Sequence, residues 1–247
     1  MSPRGWALVT GARQRLGRAL ALAAADAGYD VVVHAREAAE AEATAREIEA
    51  MGRAAQAAGG DLSDPEACRA LVAGASAPLR LLVNSASVFD RDEAATATPA
   101  SLDAAISVNL RAPFLLTQAF AARLGPDDHG LVVNLIDQKV LRLDPRFFSY
   151  TVAKAALWAA TRMMAQAFAP HVRVNAIGPG PTLQSVHQTE ESFAAEAAGS
   201  LLGEPVGEDQ IKLALRYLID ARAVTGQMIA VDAGQHLGWR TPDVIEP

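Results

Sequence analysis

The sequence predicts an α/β fold, doubly wound, with a parallel sheet of about seven strands and helices on both faces. Two observations carry this. Short β-rich runs alternate with longer Ala-rich stretches of helical pattern along the whole chain, as βαβ units require. The 247 residues, 51% of them hydrophobic and 20% charged, suffice for one sizeable core, with no repeat, low-complexity linker or composition break to mark a second. One domain spanning residues 1–247 is therefore expected.

The elements follow in order. "WALV" at 6–9 opens the sheet, and a helix over residues 14–28 follows it. "VVVHA" at 31–35 is the second strand, again followed by a helix; a weaker candidate, "RAAQAA", precedes Asp61. Further strands are read at "LRLLVN" (79–84), "GLVVNLI" (130–136), "VRVNAI" (172–177) and "QMIAVD" (227–232). The largest irregular segment runs from Gly178 to about Pro205. A stretch of that length inside a compact domain suits an active-site lid, so a substrate cap is assigned there, with a helical surface insertion as the alternative.

Composition narrows the function. A net charge of −6 argues against nucleic acid, whose phosphate backbone asks for a surplus of Lys and Arg on one face. The single cysteine, Cys68, rules out a disulfide framework and a cysteine metal site and suits a reducing compartment. His34, His129, His171, His187 and His236 show no ligand spacing, so no metal is expected. With no run of about 18 apolar residues and no leader pattern before "WALV", the expectation is a soluble, cytoplasmic protein without a membrane partner.

The stretch "TGARQRLGRAL" at 10–20 sits between the first strand and the first helix, where backbone N–H groups and the positive helix end favour a phosphate. Gly11 allows a tight exit from the strand, and Gly17 lets the helix pack close to sheet and cofactor. Two glycines alone fit a plain strand-to-helix turn equally well. The second strand ends in "HAREA": His34 and Arg36 stand where an NAD-selective site places an acid. A guanidinium matches a 2′-phosphate, which points to NADPH unless Arg36 is simply solvated.

In "SYTVAK", Tyr150 and Lys154 are four residues apart and share a helix face, so the ammonium can approach the phenol and lower its pKa from about 10. Alone, the spacing is common on exposed helices. Together with "TGARQRLG", "DL" at Asp61, "NSAS" at 84–87, Asn109, "NAIGPGPT" and the final "VDAGQ", it resembles the short-chain dehydrogenase/reductase family over essentially the whole chain. The resemblance implies a Rossmann-type sheet and a small-molecule substrate. It also implies cofactor contacts from Gly11, Arg15, Leu16, Gly17, His34, Arg36, Asp61, Leu62, Asn84, Ser85, Ala86, Tyr150, Lys154, Pro179 and Gly180. Tyr150 would be the proton donor, with Lys154 lowering its pKa and binding the nicotinamide ribose. Asn109 would hold a relay water; Pro113, four residues on, has no N–H for its carbonyl, although a proline that only kinks the helix would leave the same group free. The family usually forms homotetramers through the helices carrying Asn109 and Tyr150, and "AALWAATRMMAQAF" suits close packing there or in the core.

Two departures from the common pattern are informative. Thirteen residues before Tyr150, where most members carry a serine that polarises a carbonyl, stands Asp137. A carboxylate there would repel a developing oxyanion and raise the tyrosine's pKa, which argues against an ordinary ketone and suits proton delivery to ring nitrogens. Arg15 replaces a glycine of the phosphate loop. With Asp137 it resembles one branch of the family, the pteridine reductases, in which that arginine faces both cofactor phosphate and pterin. "NSASVF" extends the likeness: Ser87 would be a polar contact and Phe89 the ring that sandwiches the pterin, a role that flat stacking supports, although a Phe after a strand also suits a core. Substrate contacts are thus expected from Arg15, Ser87, Phe89, Asp137 and Tyr150, and catalysis from Asn109, Asp137, Tyr150 and Lys154. Ser85 departs from the branch, which carries an asparagine there. The expected reaction is hydride transfer from NADPH to the C=N of a dihydropterin or dihydrofolate-type pteridine. A generic NADP-dependent carbonyl reductase and a non-catalytic cofactor-binding regulator are the alternatives.

Overall fold

Strands that are aliphatic on both sides need cover on both faces, and successive side chains point to opposite ones. The computed structural model, which describes residues 4–239, provides this cover. Seven strands, β1 (Trp6–Val9), β2 (Asp30–Ala35), β3 (Ala55–Gly59), β4 (Leu79–Asn84), β5 (Gly130–Leu135), β6 (Val172–Pro179) and β7 (Met228–Val231), form one parallel sheet in the order β3-β2-β1-β4-β5-β6-β7. Ala7 and Val9 of β1, with Val31 and Val33 of β2, pack on one face against α1 (Arg15–Asp26), α2 (Ala38–Ala50) and α8 (Glu208–Asp220). Leu8 and Val32, one position out of phase, face the opposite core with α3 (Pro65–Gly74), α5 (Ala112–Ala122) and α6 (Phe148–Ala167).

The chain reverses its direction of growth between β1 and β4, the place where a crevice opens at the carboxyl ends of a doubly wound sheet. The connections leaving β1, β4, β5 and β6 all meet there. Two of them contain irregular turns. After α4 (Pro99–Ile106), residues Ser107–Arg111 form a π turn before α5, so Asn109, expected in an ordinary helix, sits in a wider one. The segment expected to be irregular from Gly178 starts as the end of β6 and contains α7 (Glu190–Ala198), whose start is fastened by reciprocal Thr189 and Ser192 bonds.

Two positions in the first turn fix the crevice floor. Gly11 has φ +63°, and a Cβ on it would lie 2.7 Å from the Ala86 Cα. A Cβ on Gly17 would lie 2.1 Å from the Gly11 carbonyl oxygen, against backbone that cannot yield. Gly17→Ala should therefore cost about 1–3 kcal/mol of stability, as overpacking does, and displace the first turn of α1; a urea denaturation midpoint equal to the wild type would contradict this packing.

Candidate active site

The crevice is a cleft of about 1350 Å³ lined by Gly11, Arg15, Leu16, Gly17, Arg36, Asp61 and Leu62 on one side and by Asp137, Tyr150 and Lys154 on the other. Ser85, Ala86, Ser87, Phe89, Pro179 and Gly180 complete its walls. The phosphate-side loop is pinned from below by a residue the sequence reading missed. Thr10 Oγ1 accepts the N–H groups of Ser85 and Ala86 at 3.0 and 3.1 Å, tying the exit of β4 to that of β1. Its only signal in the sequence is a hydroxyl at a strand end.

At the other wall, Asp137 stands two residues after β5 and Tyr150 lies in the first turn of α6. The Tyr150 hydroxyl donates to Asp137 Oδ2 at 2.9 Å, and Asp137 Oδ1 accepts the Lys139 N–H at 2.8 Å. Burial, then the Asp137 charge and this hydrogen bond, push the phenol well above its ordinary value. Of the two opposed influences expected on Tyr150, Asp137 prevails, and the expected lowering by Lys154 is not found. Lys154 is itself buried, with Nζ 5.7 Å from the Tyr150 ring centroid and donating to the Leu135 carbonyl at 2.6 Å. Burial lowers its pKa to about 8, against the raising effect of Asp137.

Three residues expected at the site have side chains engaged by the protein frame. His34 is 2% exposed, and both ring nitrogens are taken by backbone: Nδ1 accepts the Gly11 N–H at 3.3 Å and Nε2 lies 3.0 Å from the Gly60 carbonyl, to which it donates. Burial holds it below its ordinary value, so it is a neutral tie between β1 and β3 with no nitrogen for a phosphate. Asn84 turns away from the cleft and donates to Asn134 Oδ1 at 2.8 Å, the start of a buried chain continuing to Thr161. Asn109 is fully buried; its Oδ1 accepts from Ser87 Oγ and the Val88 N–H, and its Nδ2 donates to the Val88 carbonyl at 2.8 Å. Its side chain shapes the loop that carries Ser87 and Phe89, which leaves only the backbone carbonyl of Asn109 for the expected water. In each case the partners are 21 to 50 residues away in sequence, where no local pattern points to them.

Arg15 adopts φ +55°, a left-handed conformation costing about 1–2 kcal/mol for a residue with a Cβ. Its guanidinium crosses to the segment after β6, donating to the carbonyls of Gln184 at 2.9 Å and Leu183 at 3.3 Å. From that segment His187 Nε2 reaches back to the Phe89 carbonyl at 2.9 Å. Phe89 stacks on Phe147 with centroids 4.4 Å apart and meets Tyr150 edge-on at 4.7 Å. Neither Phe147 nor His187 was singled out from sequence; Phe147 had a signal, lying one helical turn before Tyr150. Arg36 stands exposed at the end of β2 and draws the Asp61 carboxyl down, after the larger effect of the Ser63 N–H. The nearby Glu40 is engaged by Arg13 and the Glu37 N–H.

A model of the family described as short chain dehydrogenase matches residues 5–195. The chain belongs to the short-chain dehydrogenase family. Among related members, the dihydromonapterin reductase of Klebsiella pneumoniae subsp. pneumoniae is 30% identical over 235 residues, 93% of this chain and 96% of that protein. The L-xylulose reductase of Mesocricetus auratus is 32% identical over 92% and 95% of the two chains. Among solved structures, FolM alternative dihydrofolate reductase 1 from Brucella suis, in complex with NADP, superposes with a TM-score of 0.93 at 43% identity, covering 99% of this chain and 98% of that one.

Lys154 gives this site a measurable pH signature. Its folded pKa of about 8 lies below the ordinary 10.5, so between those values the unfolded chain binds the proton and the native one does not. That contribution to stability is therefore unfavourable below about pH 8 and is relieved as pH rises toward 10.5. The urea midpoint of the wild type, measured against Lys154→Met, should rise from about pH 8 to 10; a pH-independent difference would contradict the burial of a charged ammonium.

Proposed function

We propose that this short-chain dehydrogenase is an NADPH-dependent reductase that adds hydride to the C=N bond of a pteridine. The observation that carries it is the 2.9 Å bond between Tyr150 and Asp137. A ketone reduction needs donors where negative charge grows on oxygen, and a carboxylate 2.9 Å from the phenol opposes that charge. Reduction of C=N instead leaves a nitrogen that must take a proton, and an acid–phenol pair is suited to supply one. The names of the Brucella and Klebsiella relatives, a dihydrofolate and a dihydromonapterin reductase, point to the same substrate class.

The residues present fit the cofactor. Gly11 and Gly17 let the turn after β1 pack against the Ala86 backbone and against itself, the turn leads into the N-terminus of α1 at the cleft, and Arg36 offers a guanidinium for a 2′-phosphate. The Brucella relative is a complex with NADP. When bound, NADPH supplies the hydride. Arg15, Arg36, Asp61, Leu62, Ser85, Ala86, Pro179 and Gly180, with Lys154 from the facing wall, line the part of the cleft that would hold it. A flat pteridine would stack on Phe89, already backed by Phe147, with Ser87 and Arg15 at its edge. A phenol held well above neutrality does not ionise by itself. Tyr150 keeps its proton on Oη and orients Asp137; the ring nitrogen takes one proton from the Asp137 carboxyl, which returns to the carboxylate and is reprotonated from bulk solvent. The net change is addition of one hydride and one proton.

The segment from 178 to 205 is assigned as the substrate cap, since Arg15 and His187 fasten it across the cleft. A homotetramer through α5 and α6 is part of the same proposal, supported by Phe114, Val152 and Met163 standing exposed on those helices. A cytoplasmic location is proposed from the lone, buried Cys68.

NADPH oxidation with dihydrobiopterin, beside a panel of ketones, tests the substrate. The wild type should reduce the pterin, and Asp137→Ser should lose about 10²-fold or more of that activity, the range of a general acid. Reduction of ketones that survives or improves in Asp137→Ser would instead establish a carbonyl reductase.

A further inference from the structure

Helix α6 begins without a cap of its own. Its flanking residue, Phe147, has no side-chain acceptor, although the first N–H groups of a helix lack intrahelical partners. The acceptors come from Asp92, 57 residues before Ser149. Its Oδ1 accepts the Ser149 N–H at 3.0 Å, its Oδ2 accepts the Ser149 hydroxyl at 2.5 Å and the Ser101 hydroxyl at 3.0 Å, and its carbonyl accepts the Phe148 N–H at 3.1 Å. The carboxyl is buried, at 9% exposure. Burial pushes its pKa up, and the hydrogen bonds from Ser149, Ser101 and Phe148 outweigh this and hold it below the usual carboxylate range. A negative charge also suits the positive end of α6.

The place of Asp92 in the chain gives these bonds a consequence. Phe89 lies three residues before it, and Tyr150 directly follows its partner Ser149. We infer that Asp92 is a positioning residue of the active site, locking the segment that carries Phe89 to the helix turn that carries Tyr150. The edge-on contact of those two rings at 4.7 Å is the geometry it sets. Ser101, in the first turn of α4, brings a third element onto the same carboxylate. Among the described residues no hydrogen bond joins the Gly11–Gly17 loop to this cluster, so its variants should act on turnover more than on NADPH affinity. The inference rests on Phe89 and Tyr150 acting as proposed above.

The test compares Asp92→Asn, Ser149→Ala and Ser101→Ala with the wild type for NADPH Kd, Tm, and kcat and KM with dihydrobiopterin. Asp92→Asn keeps the size of the side chain but turns an NH2 toward a donor. It should lose about 10- to 100-fold in kcat, as displacement of reacting groups by about 1 Å does, while NADPH Kd stays within about twofold. Ser101→Ala, which leaves both Ser149 contacts, should lose less. A kcat near the wild type, or a loss matched by weaker NADPH binding, would overturn the inference, as would a structure of Asp92→Asn with the Phe89 and Tyr150 rings unmoved. If Asp92→Asn does not fold, Ser149→Ala decides: reduced kcat at unchanged Tm supports the role, and unchanged kcat overturns it. A wild type inactive on dihydrobiopterin counts against the pteridine substrate, and the same comparison then runs on a ketone it reduces.

Discussion

A buried phenol donating to a carboxylate is the arrangement on which the rest of this site depends. Tyr150 Oη and Asp137 Oδ2 are 2.9 Å apart, and the contact raises the phenol where a carbonyl-reducing site needs it lowered. Such a pair costs stability unless it is held, because the Asp137 charge is partly withdrawn from water beside a buried ring. It is held from both sides. The Lys139 N–H satisfies the second Asp137 oxygen, and Lys154, anchored to the Leu135 carbonyl, places a cation beneath Tyr150.

Around that pair the fold assembles residues from four connections. Each is fastened to a neighbour by one or two hydrogen bonds across the crevice: Thr10 to the loop after β4, Asn109 to Val88, Arg15 to the segment after β6, and His187 back to Phe89. The neutral ties among them contribute about 0.5–1.5 kcal/mol each, and the charged Arg15 bonds are made at an exposed site. Their arrangement matters more, since each joins segments that the sheet alone leaves independent. The left-handed Arg15 shows the same economy: a strained residue stands in a glycine position because its side chain then reaches Leu183 and Gln184.

The strands were legible because their signal is local. Val31, Val32 and Val33 announce a strand covered on both faces, and the alternation of such runs with helical stretches is enough to define a doubly wound sheet. Departures from the expected boundaries are small: the helix read over 14–28 spans Arg15–Asp26, and the strand read to Ile177 runs on to Pro179. Asp137 and Tyr150 could be paired from sequence because the resemblance to the family places a serine thirteen residues before the tyrosine, and Asp137 stands at that position. His34, Asn84 and Asn109 could not be placed the same way. Each is a polar residue at an element end, and whether it faces the cleft or the frame depends on partners such as Gly60, Asn134 and Val88 that no local pattern specifies. Asp92 was invisible for the same reason: an acid in a loop reads as solvated until α6 is seen to lack a cap.

The central claim is that Tyr150 and Asp137 act as one proton-handling unit. Single-turnover rates of dihydrobiopterin reduction in the wild type, Tyr150→Phe, Asp137→Asn and the double variant test it directly. If the two groups act as a unit, the double variant will be little slower than the slower single variant. Losses that multiply in the double variant would mean independent roles and contradict the account.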